Sequence, residues 1–123
     1  MTQEDKELLL KDLCARLPYG VIGLYSWKNR EPYNRELTGS LFDELESSWD
    51  STEDSQFLPY LRPLSSMTEE EKREYNLTKT LSIVDYPTLT SYDWLNAHHF
   101  DYRGLIDKGL AIEVTEENNP YKN

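Results

Sequence analysis

TQEDKELLLKDLCARLPYGVIGLYSW, residues 2–27, decides the fold class, because a helical pattern in this stretch gives way to a strand pattern. Apolar side chains recur in its first part with the spacing of one helix face: Leu9, Leu10, Leu13, Cys14 and Leu17. Thr2 followed by Asp5 resembles a capping box, and Pro18 closes the pattern. The second part, GVIGLYSW, is β-branched and aromatic and predicts a strand over residues 20–27.

The elements of the middle third are short. KNREPYN follows the strand with turn composition, so we expect a hairpin return through residues 36–42. FLPYLRPL, residues 57–64, contains two prolines and is expected at most as an edge strand. Two overlapping capping boxes, Ser66-x-x-Glu69 and Thr68-x-x-Glu71, predict a helix that ends near Tyr75.

The C-terminal third is also predicted to consist of short strands and helices. We expect a strand at residues 81–84, a helix beginning at Thr90, a short helix capped by Asp101 and stopped by Gly109, and a strand at residues 110–114. The fold class is therefore predicted as α+β, a small antiparallel sheet with an N-terminal amphipathic helix and short C-terminal helices. We expect residues 1–123 to form one small domain, with a loose tail at residues 116–123. The predicted core comprises Leu9, Leu13, Cys14, Leu17, Trp94, Leu95, Leu105 and Ile106.

Composition supports a folded protein of the cytoplasm. Nine Tyr, three Trp and three Phe among 123 residues are too many for a chain that never packs. The single cysteine, Cys14, forms no internal disulfide and lies in the helical pattern, where burial makes a thiol inert. The first residues carry acids where a secretion signal needs basic ones, and no apolar run approaches the ~20 residues of a membrane span.

The segment from Glu36 to Leu61 has no Lys or Arg and carries seven acids: Glu36, Asp43, Glu44, Glu46, Asp50, Glu53 and Asp54. Because residues 43–55 are rich in Ser and acids, we expect an exposed acidic loop there. Trp49 lies inside this segment, and the sequence leaves two interpretations open: the indole folds back onto the domain, or it is an interface anchor. The predicted partner-binding residues are Asp43, Glu44, Glu46, Trp49, Asp50, Glu53 and Asp54.

The net charge of the chain indicates which kind of partner it can attract. The chain has a formal net charge of −10 and a pI near 4.6. Such a field attracts proteins with a basic surface and repels nucleic acid and anionic membranes. We therefore expect a protein partner with a basic surface, and neither direct nucleic-acid binding nor membrane binding.

Three blocks, KDLCARLPYGV (residues 11–21), YLRPLSSMTEEEKREY (residues 60–75) and DWLNAHHFDYRGLIDKGLAI (residues 93–112), together resemble a group of small proteins encoded by phages, prophages and mobile elements of anaerobic gut bacteria. The acidic segment lies in the part that varies among such proteins. The resemblance implies a phage or mobile-element context and a bacterial host cytoplasm. It carries no catalytic residues, and it favours an interaction protein over a metabolic enzyme.

His98, His99 and Asp101 form the one cluster with acid–base or ligand chemistry. Adjacent histidines on a helix point about 100° apart, and the chain has no cysteine pair or third histidine to complete a zinc site. We therefore predict no metal, no cofactor and no enzymatic activity, with the two histidines bonding the last carbonyls of a helix. A small hydrolase-like enzyme that uses His98, His99 and Asp101 stays as an alternative.

The aromatic residues around the predicted strands, among them Tyr25, Trp27 and Tyr33, either pack in the core or form a binding surface. The favoured function is a small acidic, non-catalytic interaction protein that binds a host or phage protein. The second hypothesis is an acidic mimic of nucleic acid that inhibits a DNA-binding host defence protein.

Overall fold

The computed structural model describes residues 2–27, 30–51, 55–79 and 89–121. The elements run α1 (Gln3–Arg16), β1 (Ile22–Trp27), β2 (Tyr33–Glu36), α2 (Gly39–Ser51), β3 (Ser55–Pro63), α3 (Glu69–Lys79), α4 (Leu89–Ala97), β4 (Phe100–Asp101) and β5 (Ile112–Glu113). The α+β class predicted from the sequence is confirmed. The expected strand at residues 81–84 lies outside the described residues.

Helix α1 begins where the sequence predicts, but its buried face matches the predicted one only in part. The Thr2 hydroxyl caps it by accepting the Asp5 amide at 3.1 Å. Its buried side chains are Leu9, Asp12, Leu13 and Arg16. Cys14 is exposed, so its placement in the core was wrong. The apolar period could not show that two charged residues, Asp12 and Arg16, share the buried stripe, which turns Cys14 outward.

The sheet is mixed rather than antiparallel throughout. β1 pairs antiparallel with β2 and with β3, whereas β4 and β5 pair parallel with β3. The hairpin return occupies Tyr33–Glu36 instead of residues 36–42, because Gly39 already begins α2. β3 is not an edge strand. Pro59 is tolerated inside it because β4 and β5 pair only with residues beyond Pro59.

Residues 43–51 belong to helix α2, so the acidic loop predicted for residues 43–55 was wrong over that range. Leu41, Leu45 and Trp49 follow one another at i, i+4, i+8 and are fully buried. They pack in one core cluster with Leu9, Leu13 and Phe57. Asp43, Glu44, Glu46 and Ser47 lie on the exposed face of the same helix, which is why composition alone suggested a loop.

The second half of the chain follows the predicted signals more closely. The Glu71 amide donates to the Thr68 hydroxyl at 3.1 Å, and the Thr68 amide donates to the Glu71 carboxylate at 2.9 Å. This reciprocal pair is the predicted capping box, and α3 extends beyond Tyr75 to Lys79. The short helix predicted after Asp101 is a series of turns. The Asp101 carboxylate caps these turns by accepting the Leu105 and Ile106 amides at 3.0 Å.

The C-terminal segment is anchored to the sheet. The Tyr121 hydroxyl accepts the Ile22 amide at 2.9 Å and donates to the Tyr60 carbonyl at 2.9 Å. Because these bonds hold the segment against β1 and β3, the loose tail expected for residues 116–123 was wrong at Tyr121. Of the predicted core, Leu9, Leu13, Leu95 and Leu105 are buried, and Leu17, Trp94 and Ile106 are partly buried.

Candidate partner-binding groove

A groove of about 800 Å³ lies between the β1–β2 hairpin and helix α2. We call it the hairpin groove. Its hairpin wall consists of Tyr25, Trp27, Arg30, Glu31, Tyr33 and Arg35, and its helix wall of Ser40, Asp43, Glu44, Ser47 and Ser48, with Ser55 between them. The register explains this grouping, because Tyr25 lies directly opposite Tyr33 and side chains two residues apart on a strand share one face. The groove therefore combines aromatic rings, cations, carboxylates and hydroxyls.

The hairpin wall is aromatic and open to solvent. Tyr25 and Tyr33 meet edge to face, with ring centroids 5.7 Å apart. Tyr25 is buried, whereas Trp27 is 38% exposed and Tyr33 is 53% exposed. Large amphipathic rings left open on a concave surface are typical of protein interfaces. The sequence raised a binding surface as one of two interpretations for these residues, and Trp27 and Tyr33 are not in the core.

The two arginines of the hairpin wall lie over its rings. The guanidinium carbon of Arg30 is 5.3 Å from the Trp27 ring centroid, and that of Arg35 is 5.3 Å from the Tyr25 ring centroid. Both arrangements fit cation–π contacts. The rings of Trp27 and Tyr25 thus each contact a guanidinium of the same hairpin, so aromatic rings of this wall can bind cationic side chains.

The helix wall supplies carboxylates. Asp43 and Glu44 are exposed, and in the described part of the chain neither forms a hydrogen bond or an ion pair. Burial raises the pKa of Tyr25 above its usual value, and the negative charge of Glu44 raises it further. The negative charge of Glu44 on the helix wall therefore influences the ionisation of Tyr25 on the hairpin wall.

Of the other predicted partner-binding residues whose side chains the structure describes, neither Glu46 nor Trp49 lines the groove. Glu46 is exposed on α2, and Asp50 belongs to the same helix. Glu53 and Asp54 lie outside the described residues. Trp49 is only 2% exposed, and its indole N–H donates to the Ser55 carbonyl at 2.7 Å. The interpretation in which Trp49 folds back is confirmed, and Trp49 is not an exposed anchor.

The histidine cluster is occupied by local contacts. A ring nitrogen of His98 lies 2.9 Å from the Trp94 carbonyl, and the His98 ring stacks on Trp94 at 4.1 Å. His99 has φ 62° just after α4, the left-handed conformation common at helix ends. Both oxygens of Asp101 accept backbone amides. None of the three lines the hairpin groove, and their contacts are with neighbouring groups, so we base no proposal of catalysis on them.

A buried ion-pair network joins α1 to the segment after β4. Arg16 is fully buried, donates to Asp12 at 2.7 Å and donates to the Phe100 carbonyl at 2.6 Å. Arg103 donates to the second oxygen of Asp12 at 3.1 Å. This network was not predicted from the sequence, because an i, i+4 Asp–Arg pair more often belongs to a solvated helix face. Its partners are all structural, so we assign it to stability.

No known family matches the chain, and no curated protein or solved structure is significantly similar to it. Over the described ranges, no group of three or more His, Cys, Asp or Glu is arranged to hold a metal ion. Likewise, none of the described helices is both long and apolar enough to cross a bilayer.

Proposed function

We propose that this protein is a small, non-catalytic interaction protein that binds a basic segment of a partner protein in the hairpin groove. The observation that carries the proposal is that two solvent-exposed aromatic residues, Trp27 and Tyr33, line the same groove as two carboxylates without an ion pair, Asp43 and Glu44. A lysine or arginine side chain is attracted to the face of an aromatic ring and to a carboxylate at the same time.

The net charge of the chain supports the same kind of partner. A formal charge of −10 attracts a basic surface from a distance and speeds the encounter, while the groove holds the side chains that make contact. The resemblance of the three sequence blocks to phage and mobile-element proteins favours a host or phage protein as partner, in the cytoplasm of a bacterial host. Cys14, a single exposed thiol, is compatible with that reducing compartment.

Photo-crosslinking tests the proposal at the groove itself. With a benzophenone amino acid in place of Tyr33, we expect a specific adduct with one protein of the host or phage. The Asp43→Asn/Glu44→Gln variant of that chain should lose the adduct. The Glu70→Gln/Glu74→Gln variant removes two exposed charges of α3 and should retain it. An adduct equally weakened by both variants, or absent from the parent chain, would overturn the proposal.

A second candidate function is an acidic mimic of nucleic acid. It is favoured by the finding that Asp43, Glu44 and Glu46 are exposed on a helix rather than scattered in a loop, since a fixed surface is needed to imitate phosphate charge. In this case the partner is a DNA-binding protein, and duplex DNA should displace the chain from it. A ternary complex of chain, partner and DNA would contradict mimicry and leave the groove proposal intact.

A further inference from the structure

β2 is the outer strand of the sheet on the side of the hairpin groove. The strand order β2-β1-β3-β4 gives β2 one neighbour, β1, among the described strands. The outer side of β2 therefore presents backbone groups that no other described strand pairs.

The register shows which backbone groups these are. The Leu37 amide donates to the Val21 carbonyl at 2.8 Å, which places this pair in the hydrogen-bonded class of an antiparallel ladder. The next pair, Ile22 with Glu36, must then be non-hydrogen-bonded. In agreement, the Ile22 amide is turned the other way, to the Tyr121 hydroxyl. Continuing the alternation, Tyr33 and Arg35 direct their backbone groups to β1, and Asn34 and Glu36 direct theirs outward.

The same alternation determines on which face of the sheet each side chain of β2 lies. Tyr33 and Arg35 face the hairpin groove, as their place in its wall shows. Asn34 lies on the opposite face, where its side-chain oxygen accepts the Tyr60 hydroxyl at 2.8 Å. The Asn34 side chain is therefore held away from the groove, and no described residue hydrogen-bonds the outward amides of Asn34 and Glu36.

We propose that the partner binds by β-augmentation: an extended segment pairs with the free edge of β2 and directs alternate basic side chains into the hairpin groove. This inference rests on the proposed function and adds the conformation and the residue pattern of the bound segment. Residues of an added strand opposite Tyr33 and Arg35 share their face of the sheet. Their side chains consequently lie on the sheet face that carries the hairpin groove, which Asp43 and Glu44 also line.

Charge complementarity selects a basic occupant over an apolar one. Glu31, Asp43 and Glu44 line the groove without an ion pair in the described structure, whereas Arg30 and Arg35 lie over aromatic rings of their own hairpin. Carboxylates without an ion pair in the groove favour lysine or arginine at every second position of the segment, the positions that share the face of the groove. Pro32 precedes β2 and has no amide hydrogen, so it limits the pairing to Tyr33–Glu36.

The probe is a capped nine-residue peptide of alternating lysine and threonine, with lysine at the odd positions. Added to the full chain, it should slow amide hydrogen exchange at Asn34 and Glu36 at least tenfold. The amide of Arg35, which already faces β1, should change little. N-methylation of the peptide at one alternate set of residues should abolish binding, whereas methylation of the other set should not. Loss on methylating threonines identifies an antiparallel strand, and loss on methylating lysines a parallel one.

The outcomes separate this inference from the proposed function. Shifts of the Trp27 and Tyr33 resonances without protection at Asn34 and Glu36 would overturn β-augmentation and leave the groove as a binding site. Equal tolerance of both methylation patterns would overturn it as well. Protection at Asn34 and Glu36 that the Asp43→Asn/Glu44→Gln variant does not weaken would support pairing and contradict the role of the groove. No change at any of these residues would overturn both.

Discussion

The ring of Tyr121 stacks on the ring of His99, with centroids 3.9 Å apart and planes 8° from parallel. This contact joins the last described residue of the chain to the end of helix α4. The Tyr121 hydroxyl continues from there into the gap between β1 and β3, where it bonds to backbone groups of Ile22 and Tyr60. One side chain thus ties the C-terminal segment to the sheet that carries the hairpin groove.

Replacing Tyr121 with Phe keeps the stack and removes the hydrogen bonds. Because the Ile22 amide loses the acceptor it has in the structure, we expect a loss of about 1–3 kcal/mol in the free energy of unfolding, measured by urea denaturation. Tyr92→Phe is the control, since Tyr92 is exposed and should change stability by less than about 0.5 kcal/mol. A Tyr121→Phe variant as stable as the parent would show that the hydroxyl contacts are unimportant.

Protonation of His99 should oppose folding. Burial, together with the nearby charge of Arg16, lowers the pKa of His99 to about 4 from its usual 6.5. The unfolded chain therefore binds the proton more readily, so this residue reduces stability as the pH falls from about 6.5 to 4 and has no effect above that window. An NMR titration of the His99 ring should show a midpoint near pH 4. A midpoint near 6.5 would mean that the ring is not buried as described.

Leu45→Ala tests whether α2 is a packed helix. Leu45 is fully buried in the core cluster, so its truncation should cost about 2–5 kcal/mol. The control is Glu46→Ala, one residue further on the exposed face, which should cost less than about 0.5 kcal/mol. Similar small effects of both substitutions in chemical denaturation would favour the loop that composition suggested.

Gly23→Ala tests the close approach of β1 to β3. A β-carbon at Gly23 would lie 2.4 Å from the Phe57 ring and 2.9 Å from the Leu58 carbonyl oxygen. Relief of this overlap requires strand movement, and we expect a loss of about 1–3 kcal/mol in thermal or chemical unfolding. At Gly39 nothing lies within 4 Å of an added β-carbon. Gly39→Ala should therefore be neutral or slightly stabilising, and a neutral Gly23→Ala would refute the described packing.

Sequence motifs predicted those elements that are stabilised mainly by interactions between neighbouring residues. The Thr68–Glu71 capping box, the Thr2 cap of α1 and the apolar, aromatic run of β1 each needed only neighbouring residues. Helix α2 was not predicted, although Leu41, Leu45 and Trp49 have a helical period, because abundant acids and serines are typical of an exposed loop. The buried Asp12–Arg16 pair was missed because burial of a charge is decided by distant partners such as Arg103.

The hairpin groove was predictable only in part. Asp43 and Glu44 were expected to contact a partner on the basis of charge, and the structure places both in the wall of a groove. Trp27 and Tyr33 remained ambiguous in the sequence, since an aromatic residue on a strand packs inward or outward according to register. That register depends on where the hairpin returns, and the return was expected several residues too late. The convergence of the two walls is a tertiary feature with no local signal.

The most direct test of the groove is the affinity of three chains for the same lysine–threonine peptide, measured by isothermal titration calorimetry at physiological salt. The parent should bind it, and Asp43→Asn/Glu44→Gln should weaken binding about tenfold or more, equivalent to about 1.4 kcal/mol. Glu70→Gln/Glu74→Gln carries the same net charge as that variant and should weaken binding less than about threefold, because neither residue lines the groove and exposed charges are screened by salt. Equal losses in the two variants, or a parent that does not bind, would contradict recognition by the hairpin groove.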